Sequence, residues 1–218
     1  MPDAAHHPDP DGSADHYFTA RPASPDERRT ITVQLADRDV TLETAGGVFS
    51  PWRLDQGTRV LLGSVPRPPQ SGDLLDLGCG WGPVALTFAL RSPAARVWAV
   101  DVNERALDLV QRNAQRLGLG NVRAALPDDV PDDVALAALW SNPPIRVGKA
   151  ALHAMLLRWL PRLAPGAQAH LVVQRNLGAD SLQLWLAAQL GASTDVTRTA
   201  TAKGFRVLRI GAPRSEPA

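Results

Sequence analysis

Two short stretches of this 218-residue chain carry residue types whose spacing could support chemistry. The first, "DLLDLGCGWG", sets Gly78, Cys79, Gly80 and Gly82 directly after an apolar run that contains Asp76. Glycines at such a place let the backbone turn tightly and let a ligand approach bare main chain. The spacing is G-x-G-x-G followed by Pro83, not the G-x-G-x-x-G of a dinucleotide site. A pyrophosphate would also meet the carboxylate of Asp76. An uncharged or zwitterionic adenosyl ligand suits this loop better than a nicotinamide cofactor. Roughly 20 residues further on, the next apolar run ends in Asp101, where a carboxylate can accept both hydroxyls of a ribose. An aspartate there also reads as a helix cap.

The second stretch is "WSNPPIRVGK", residues 140–149. An apolar run stops abruptly in Asn142 and two residues that cannot donate a hydrogen bond, Pro143 and Pro144. Proline fixes φ, and Pro144 holds Pro143 extended. This predicts a rigid rim with the Asn142 side-chain oxygen and the Pro143 carbonyl free to accept. Two fixed acceptors match a planar NH2 group. Accepting both its hydrogens favours the pyramidal nitrogen that can attack an electrophilic methyl group in line, so catalysis would be positioning and preorganised dipoles. Asn-Pro-Pro alone, however, also reads as a loop.

These residues need elements to hold them. "TITVQLADRDVTLET" alternates apolar and polar positions around a polar turn at 36–39 and predicts a hairpin. A short helix is expected over 54–65, then a proline-rich connector. From Gly72 the pattern alternates strand and helix: strands at "DLLDLG", "RVWAVD", "VRAAL", 134–140 and "AHLVVQ", with helices at 83–90, 104–117, 149–163 and 182–190. "TRTATAKGFRVLRIG" closes the chain as two strands around Lys203 and Gly204. Repeated strand–helix units imply an α/β fold with a parallel sheet covered on both faces. Ligands of such sheets bind beyond the C-terminal ends of the strands, which puts Asn142 and the glycine loop in one crevice. The expected organisation is a disordered tail over 1–16, a hairpin and helix over 17–65 packing on the main domain, the main domain over 66–211, and a short tail over 212–218.

Composition narrows the classes. No stretch approaches the roughly 18 apolar residues of a membrane span, and no secretory pattern opens the chain, so a cytoplasmic protein without a membrane partner is expected. One cysteine, Cys79, excludes an internal disulfide and a cysteine-based zinc site. The histidines show no ligand spacing with carboxylates, and no metal is assigned. Net charge is only +1, yet from Arg146 onward ten cations face three acids. That half could meet a polyanion or carry scattered solvated arginines.

"DLGCGWG" followed by "VWAVDVN" resembles the S-adenosylmethionine site of class I methyltransferases. The resemblance implies a Rossmann-like seven-stranded sheet with its last strand antiparallel. It implies Asp76, Gly78 and Gly80 along methionine and ribose, with Cys79 and Gly82 in the same loop. Asp101 would hold the ribose hydroxyls, Val102 would lie beside the adenine, and Asp128 (or Asp129) would sit near the adenine amino group. "NPPI" is similar to the N-P-P-aromatic motif of amino-group methyltransferases, with Ile145 where the aromatic residue stands. "HYF", "GVFS", "LDQGTRVLL", "SNPPIRVGK" and "KGFRVL" together resemble the methyltransferase-small family, which includes 16S ribosomal RNA guanine-N2 methyltransferases. By position, Phe49, Asp55 and Gly57 would help close the cofactor pocket, although Phe49 reads equally as core.

The resemblance implies an enzyme that methylates an exocyclic amine of ribosomal RNA, guanine N2 foremost, with ribosomal RNA or the small subunit as partner. Asn142, Pro143, Pro144 and Ile145 would carry catalysis, Trp140 would shape the base pocket, and Arg146 and Lys149 would meet phosphates. The resemblance implies that long family members carry an additional N-terminal domain, for which no counterpart is expected here. RNA recognition is then expected from the hairpin, the basic half, or the assembled subunit. A protein glutamine amide or a small amine is the alternative acceptor; a cofactor- and RNA-binding module without turnover is the alternative class.

Overall fold

The computed structural model describes residues 27–211; the tails at 1–16 and 212–218 and the "HYF" stretch fall outside the described residues. The chain runs β1 (Arg28–Leu35), β2 (Arg38–Ala45), α1 (Gln56–Ser64), β3 (Asp73–Leu77), α2 (Pro83–Arg91), β4 (Arg96–Val100), α3 (Glu104–Arg116), β5 (Val122–Ala125), β6 (Leu136–Ser141), α4 (Lys149–Trp159), β7 (Leu163–Gln174), α5 (Ala179–Leu190), β8 (Asp195–Ala202) and β9 (Phe205–Gly211). β1 and β2 pair only with each other, and the other seven form one sheet in the order β5-β4-β3-β6-β7-β9-β8. β9 runs antiparallel to both β7 and β8, whereas β3 to β7 pair in parallel. This is the expected class I methyltransferase architecture, with the last strand inserted between two earlier ones.

Alternation along the strands divides the apolar residues between two layers. Leu75, Leu139, Leu171 and Leu208 face α4 and α5, meeting Leu156, Trp159 and Leu186. Leu74, Ala138, Val172 and Val207 face the other way, toward Leu61 of α1 and Phe88 of α2. The hairpin forms a third layer: Leu35, Val40 and Leu42 pack on Leu86 and Leu109, over the outer side of α2 and α3. No helix among the described residues is long and apolar enough to cross a membrane.

Local differences from the sequence reading have identifiable causes. The hairpin turn is two residues, not four. Ala36 and Asp37 both take positive φ, 48° and 64°, the conformation that matches strand twist in a two-residue turn, and Arg38 and Asp39 already pair with Leu35 and Gln34. The helix expected over 149–163 ends as α-helix at Trp159, because Pro161 can neither donate to the preceding turn nor fit its ring there. A single 3-10 turn, Leu160–Arg162, follows. "APG", read as a helix stop, instead lies within the start of β7.

The hairpin is fastened to the main domain by a fully buried amide. Asn113 of α3 accepts from the Glu43 N–H (2.7 Å) and donates to the Glu43 carbonyl (2.9 Å) and the Trp81 carbonyl (3.2 Å). One side chain thus satisfies a β2 residue and the glycine loop together. Asn113→Ala would orphan these groups, so unfolding in urea is expected to show a loss of about 2–4 kcal/mol. Thr32→Ala, on the exposed hairpin face, is expected to stay within about 0.5 kcal/mol.

Candidate active site

Sheet order reverses between β3 and β6, the switch point at which open α/β sheets bind ligands. In their parallel register Asp76 lies opposite Trp140, so the next residues bring Gly78 and Asn142 side by side beyond the strand ends. The Ser141 hydroxyl donates to the Leu77 carbonyl at 2.6 Å and locks the two strand ends together. A Cβ on Gly78 would lie 3.6 Å from Pro144 Cδ. The glycine loop and the Asn-Pro-Pro rim are therefore in contact, and both line a cavity of about 750 Å³.

The loop itself is shaped by backbone hydrogen bonds. The Gly78 and Cys79 N–H groups donate to the Val100 carbonyl at 2.8 and 3.0 Å. Gly78, Gly80 and Gly82 all have positive φ, a conformation that only glycine adopts at little cost. Gly78 and Gly80 leave bare backbone toward the cavity. Gly82 does not reach it; a Cβ there would strike Val110 Cγ2 at 2.9 Å, so this glycine serves the packing of α2 on α3.

Asp101 accepts from the Gly80 N–H (2.9 Å) and the Asn103 N–H (3.0 Å), one on each carboxylate oxygen. Each oxygen keeps a lone pair for a ligand hydroxyl. Val102 is exposed beside it on the cavity wall. Burial raises the Asp101 pKa above the usual carboxylate value, against the opposing pull of the Asn103, Gly80 and Val102 N–H groups. Asp76 is buried beneath the loop, lining a side recess of about 20 Å³ together with Cys79, Thr58 and Asn142. It accepts from the Ala85 N–H at 2.8 Å. Burial, reinforced by the charge of Asp101, nonetheless lifts its pKa to about 8. Burial also pushes the Cys79 thiol well above its ordinary value, favouring its neutral form.

Asn142 is held from the N-terminal segment. Its Nδ2 donates to Asp55 Oδ2 at 2.9 Å and to Thr58 Oγ1 at 3.0 Å. The same Asp55 oxygen caps α1, accepting from the Gly57 and Thr58 N–H groups. With both amide hydrogens directed at these acceptors, Oδ1 is the atom left to face the cavity. The Pro143 carbonyl is not wholly free, as the sequence suggested: it accepts from the Ile145 N–H at 2.8 Å. Pro144 at φ −73°, ψ 78° makes this an inverse γ-turn. The turn fixes where the carbonyl points and leaves its second lone pair.

Other expected site residues fall elsewhere. Trp140, expected in the base pocket, is 1% exposed; strand alternation turns it into the core, 4.2 Å from the Phe88 ring. Asp128, expected at the adenine, is 88% exposed at its side chain and pairs with Arg158 at 2.6 Å, outside the wall to which Pro127 contributes. Gly57 makes room for Phe205, whose Cε1 would lie 2.9 Å from a Cβ there. Phe49, Asp55, Ile145 and Arg146 line the cavity, while Lys149 stands exposed at the start of α4. Sequence reasoning missed Gln174, Leu177 and Phe205, which complete the far wall. "KGF" carried the only available signal, a turn closing on an aromatic residue at the strand-end edge.

The methyltransferase small domain model matches residues 39–209. The uncharacterized protein YbxB of Bacillus subtilis (strain 168) is 33% identical over 171 residues, 77% of this chain and 85% of that protein. Ribosomal RNA small subunit methyltransferase C of Pseudomonas aeruginosa (strain LESB58) is 37% identical over 165 residues, 72% of this chain. The chain spans about half the length of that relative, 49%. Among solved structures, the 16S rRNA N2 methyltransferase RsmC of T. thermophilus, in complex with AdoMet and guanosine, superposes with a TM-score of 0.69 at 20% identity. That match covers 88% of this chain and 52% of the other, and at this identity it shows a shared fold.

Asp76 gives a measurable signature. Its folded pKa of about 8 exceeds the ordinary 3.8, so between these values the folded state binds more protons than the unfolded one. Stability of the ligand-free protein should therefore fall as pH rises from about 4 to about 8, then level off. Asp76→Asn, which can still accept from Ala85, is expected to flatten that part of the profile in thermal unfolding at pH 5–8. An unchanged profile would remove Asp76 from this account.

Proposed function

Because this chain belongs to the methyltransferase small domain family, whose cofactor is S-adenosylmethionine, we propose that it methylates an exocyclic amine of ribosomal RNA, guanine N2 of the small-subunit RNA foremost. The observation that carries this reading is the orientation of Asn142, whose amide nitrogen is pinned by Asp55 and Thr58 on the cavity wall, leaving its oxygen free to accept.

The cavity has the features the cofactor requires. Gly78 and Gly80 offer side-chain-free backbone, Asp101 offers two acceptor oxygens spaced for a ribose diol, and Val102 offers an apolar surface for a purine. Asp76 lines the recess next to Asn142 and can yield its proton when a cationic group approaches. Bound in such a site, S-adenosylmethionine supplies an electrophilic methyl group on a positively charged sulfur.

The chain's own residues then act by placement. Asn142 Oδ1 and the second lone pair of the Pro143 carbonyl accept the two hydrogens of the target NH2. Drawing both hydrogens to one side exposes the nitrogen lone pair to the methyl group. No side chain need take a proton beforehand: the N–C bond forms as the C–S bond breaks to leave a neutral thioether, and the alkylated nitrogen, only then acidic, gives its proton to solvent. The γ-turn and the Asp55–Thr58 clamp keep both acceptors fixed, so little reorganisation accompanies the reaction. Ile145, Leu177 and Phe205 give the acceptor an apolar surround. Phe205 of β9 thus stands in for the aromatic residue missing after Asn-Pro-Pro.

Purified protein incubated with deproteinised 16S RNA or 30S subunits and methyl-labelled S-adenosylmethionine is expected to yield labelled N2-methylguanosine on nucleoside mass mapping. Label on a protein fraction alone would overturn the RNA assignment. Asn142→Ala is expected to lower turnover about 100-fold or more, with cofactor affinity within about threefold by calorimetry. Thr58→Val, which leaves one Asn142 hydrogen without its acceptor, is expected to cost a smaller factor in turnover with unchanged cofactor affinity.

A further inference from the structure

Asp55 and Asp101 line the cavity, with Asp76 in the adjoining recess, and Arg146 and Arg158 are the cations on its wall. The cations of the C-terminal half fall into two sets. Arg158 bonds Asp128 and the Pro127 carbonyl, Arg162 bonds the Pro131 and Val134 carbonyls, Arg198 and Arg206 face Asp180, and Arg209 pairs with Asp195. Arg146, Lys149, Arg175 and Lys203 have no carboxylate partner among the described residues.

All four belong to segments at the C-terminal edge of the sheet. Arg146 lines the cavity, and Lys149 follows three residues later at the start of α4. Arg175 lies between the wall residues Gln174 and Leu177, and its N–H donates to the Gly204 carbonyl at 2.8 Å. Lys203 shares that β8–β9 turn, two residues before the wall residue Phe205. Two pairs of unneutralised cations therefore flank an apolar and aromatic compartment, one pair on the Asn-Pro-Pro side and one on the β7–β9 side.

We propose that this compartment is a subsite for one unpaired nucleotide of a single-stranded RNA segment, its base against Phe205 and its flanking phosphates on Arg146 with Lys149 and on Arg175 with Lys203. A base inside a duplex cannot carry its edge amine into a walled cavity without leaving the stack. An aromatic wall with cations along the strand path is the general means of holding unpaired nucleic acid. The inference rests on the function proposed above and adds the form of the substrate and the residues that select it.

Binding tests it without requiring turnover. The probe is a fluorescent 20-nucleotide single-stranded RNA, compared with the same strand in a perfect duplex, titrated with the full chain at several salt concentrations. The wild-type protein is expected to prefer the single strand. Replacing Arg146, Lys149, Arg175 and Lys203 together by Gln should weaken binding at least about tenfold and flatten the log–log salt slope by about 3, from about 0.7 per phosphate contact. Arg38→Gln with Arg67→Gln, exposed cations at the start of β2 and on the α1–β3 connector, removes charge elsewhere and should leave the slope nearly unchanged. Phe205→Leu should weaken the single strand severalfold while sparing the salt slope.

An unaltered slope in the fourfold variant, or equal affinity for duplex and single strand, would overturn the proposal. So would polyglutamate displacing the RNA at equal charge, because the rim would then not select a nucleotide strand. Methyl transfer is read separately. Failure of the wild-type protein to label RNA that it binds would overturn the assigned reaction and leave the rim standing, whereas transfer by a fourfold variant that binds normally would do the reverse.

Discussion

The direction of one side-chain amide governs how this molecule can work. If the Asn142 amide were reversed, its oxygen would confront the Asp55 carboxylate and its hydrogens would face the cavity, exchanging an acceptor for a donor where the proposed amine would sit. The Asp55 carboxylate opposes that reversal, since a part-buried acceptor pressed on another acceptor loses its hydrogen bond and gains repulsion. Asp55 is held in turn by the N–H groups at the start of α1. Helix capping, usually a matter of stability, here transmits the position of a segment outside the seven-stranded sheet to the atom that would contact substrate.

The same logic explains why the N-terminal layer is tied down so firmly. Asn113 clasps β2, Asn103 donates to the Gly47 carbonyl at 2.8 Å while capping α3, and Trp81 of the glycine loop donates to the Ser50 carbonyl at 3.1 Å. These bonds bring the segment carrying Phe49 over the loop and lead the chain toward Asp55. Two asparagines inside helix-bearing regions would be costly if their amides were unsatisfied. Each instead completes backbone groups of another layer, so their burial specifies how the layers align.

Much of this was readable from residue order. The strand–helix alternation and the meeting of the glycine loop with Asn142 follow from periodicity and from the rule that ligands collect where sheet order reverses, whereas the antiparallel last strand was implied by the family resemblance. Side-chain direction was less accessible. Trp140 sits two residues before Asn142, near enough in sequence to suggest a pocket wall, yet the two-residue period of a strand drives it into the core. Asp128 failed for another reason: an exposed 3-10 turn left its carboxylate free to find Arg158, a partner 30 residues away that no local pattern announces. The engagement of the Pro143 carbonyl depended on the ψ of Pro144, which sequence restricts only loosely. Gln174 ends β7, the neighbour of β6, and Leu177 follows it in the next turn, whereas Phe205 reaches the site because β9 is inserted beside β7.

That insertion links two positions far apart in the chain. The Phe205 ring occupies the space a side chain at Gly57 would need, so the aromatic wall and the bare helix start form one steric unit. Volume can pass from one position to the other only by exchange: a chain with a smaller residue at 205 would have room for a methyl group at 57, and one with a bulkier residue at 57 would have to surrender the ring. Among natural variants of this fold, the sizes at these two places should therefore vary inversely, and the breadth of the acceptor compartment should follow whichever side holds the bulk.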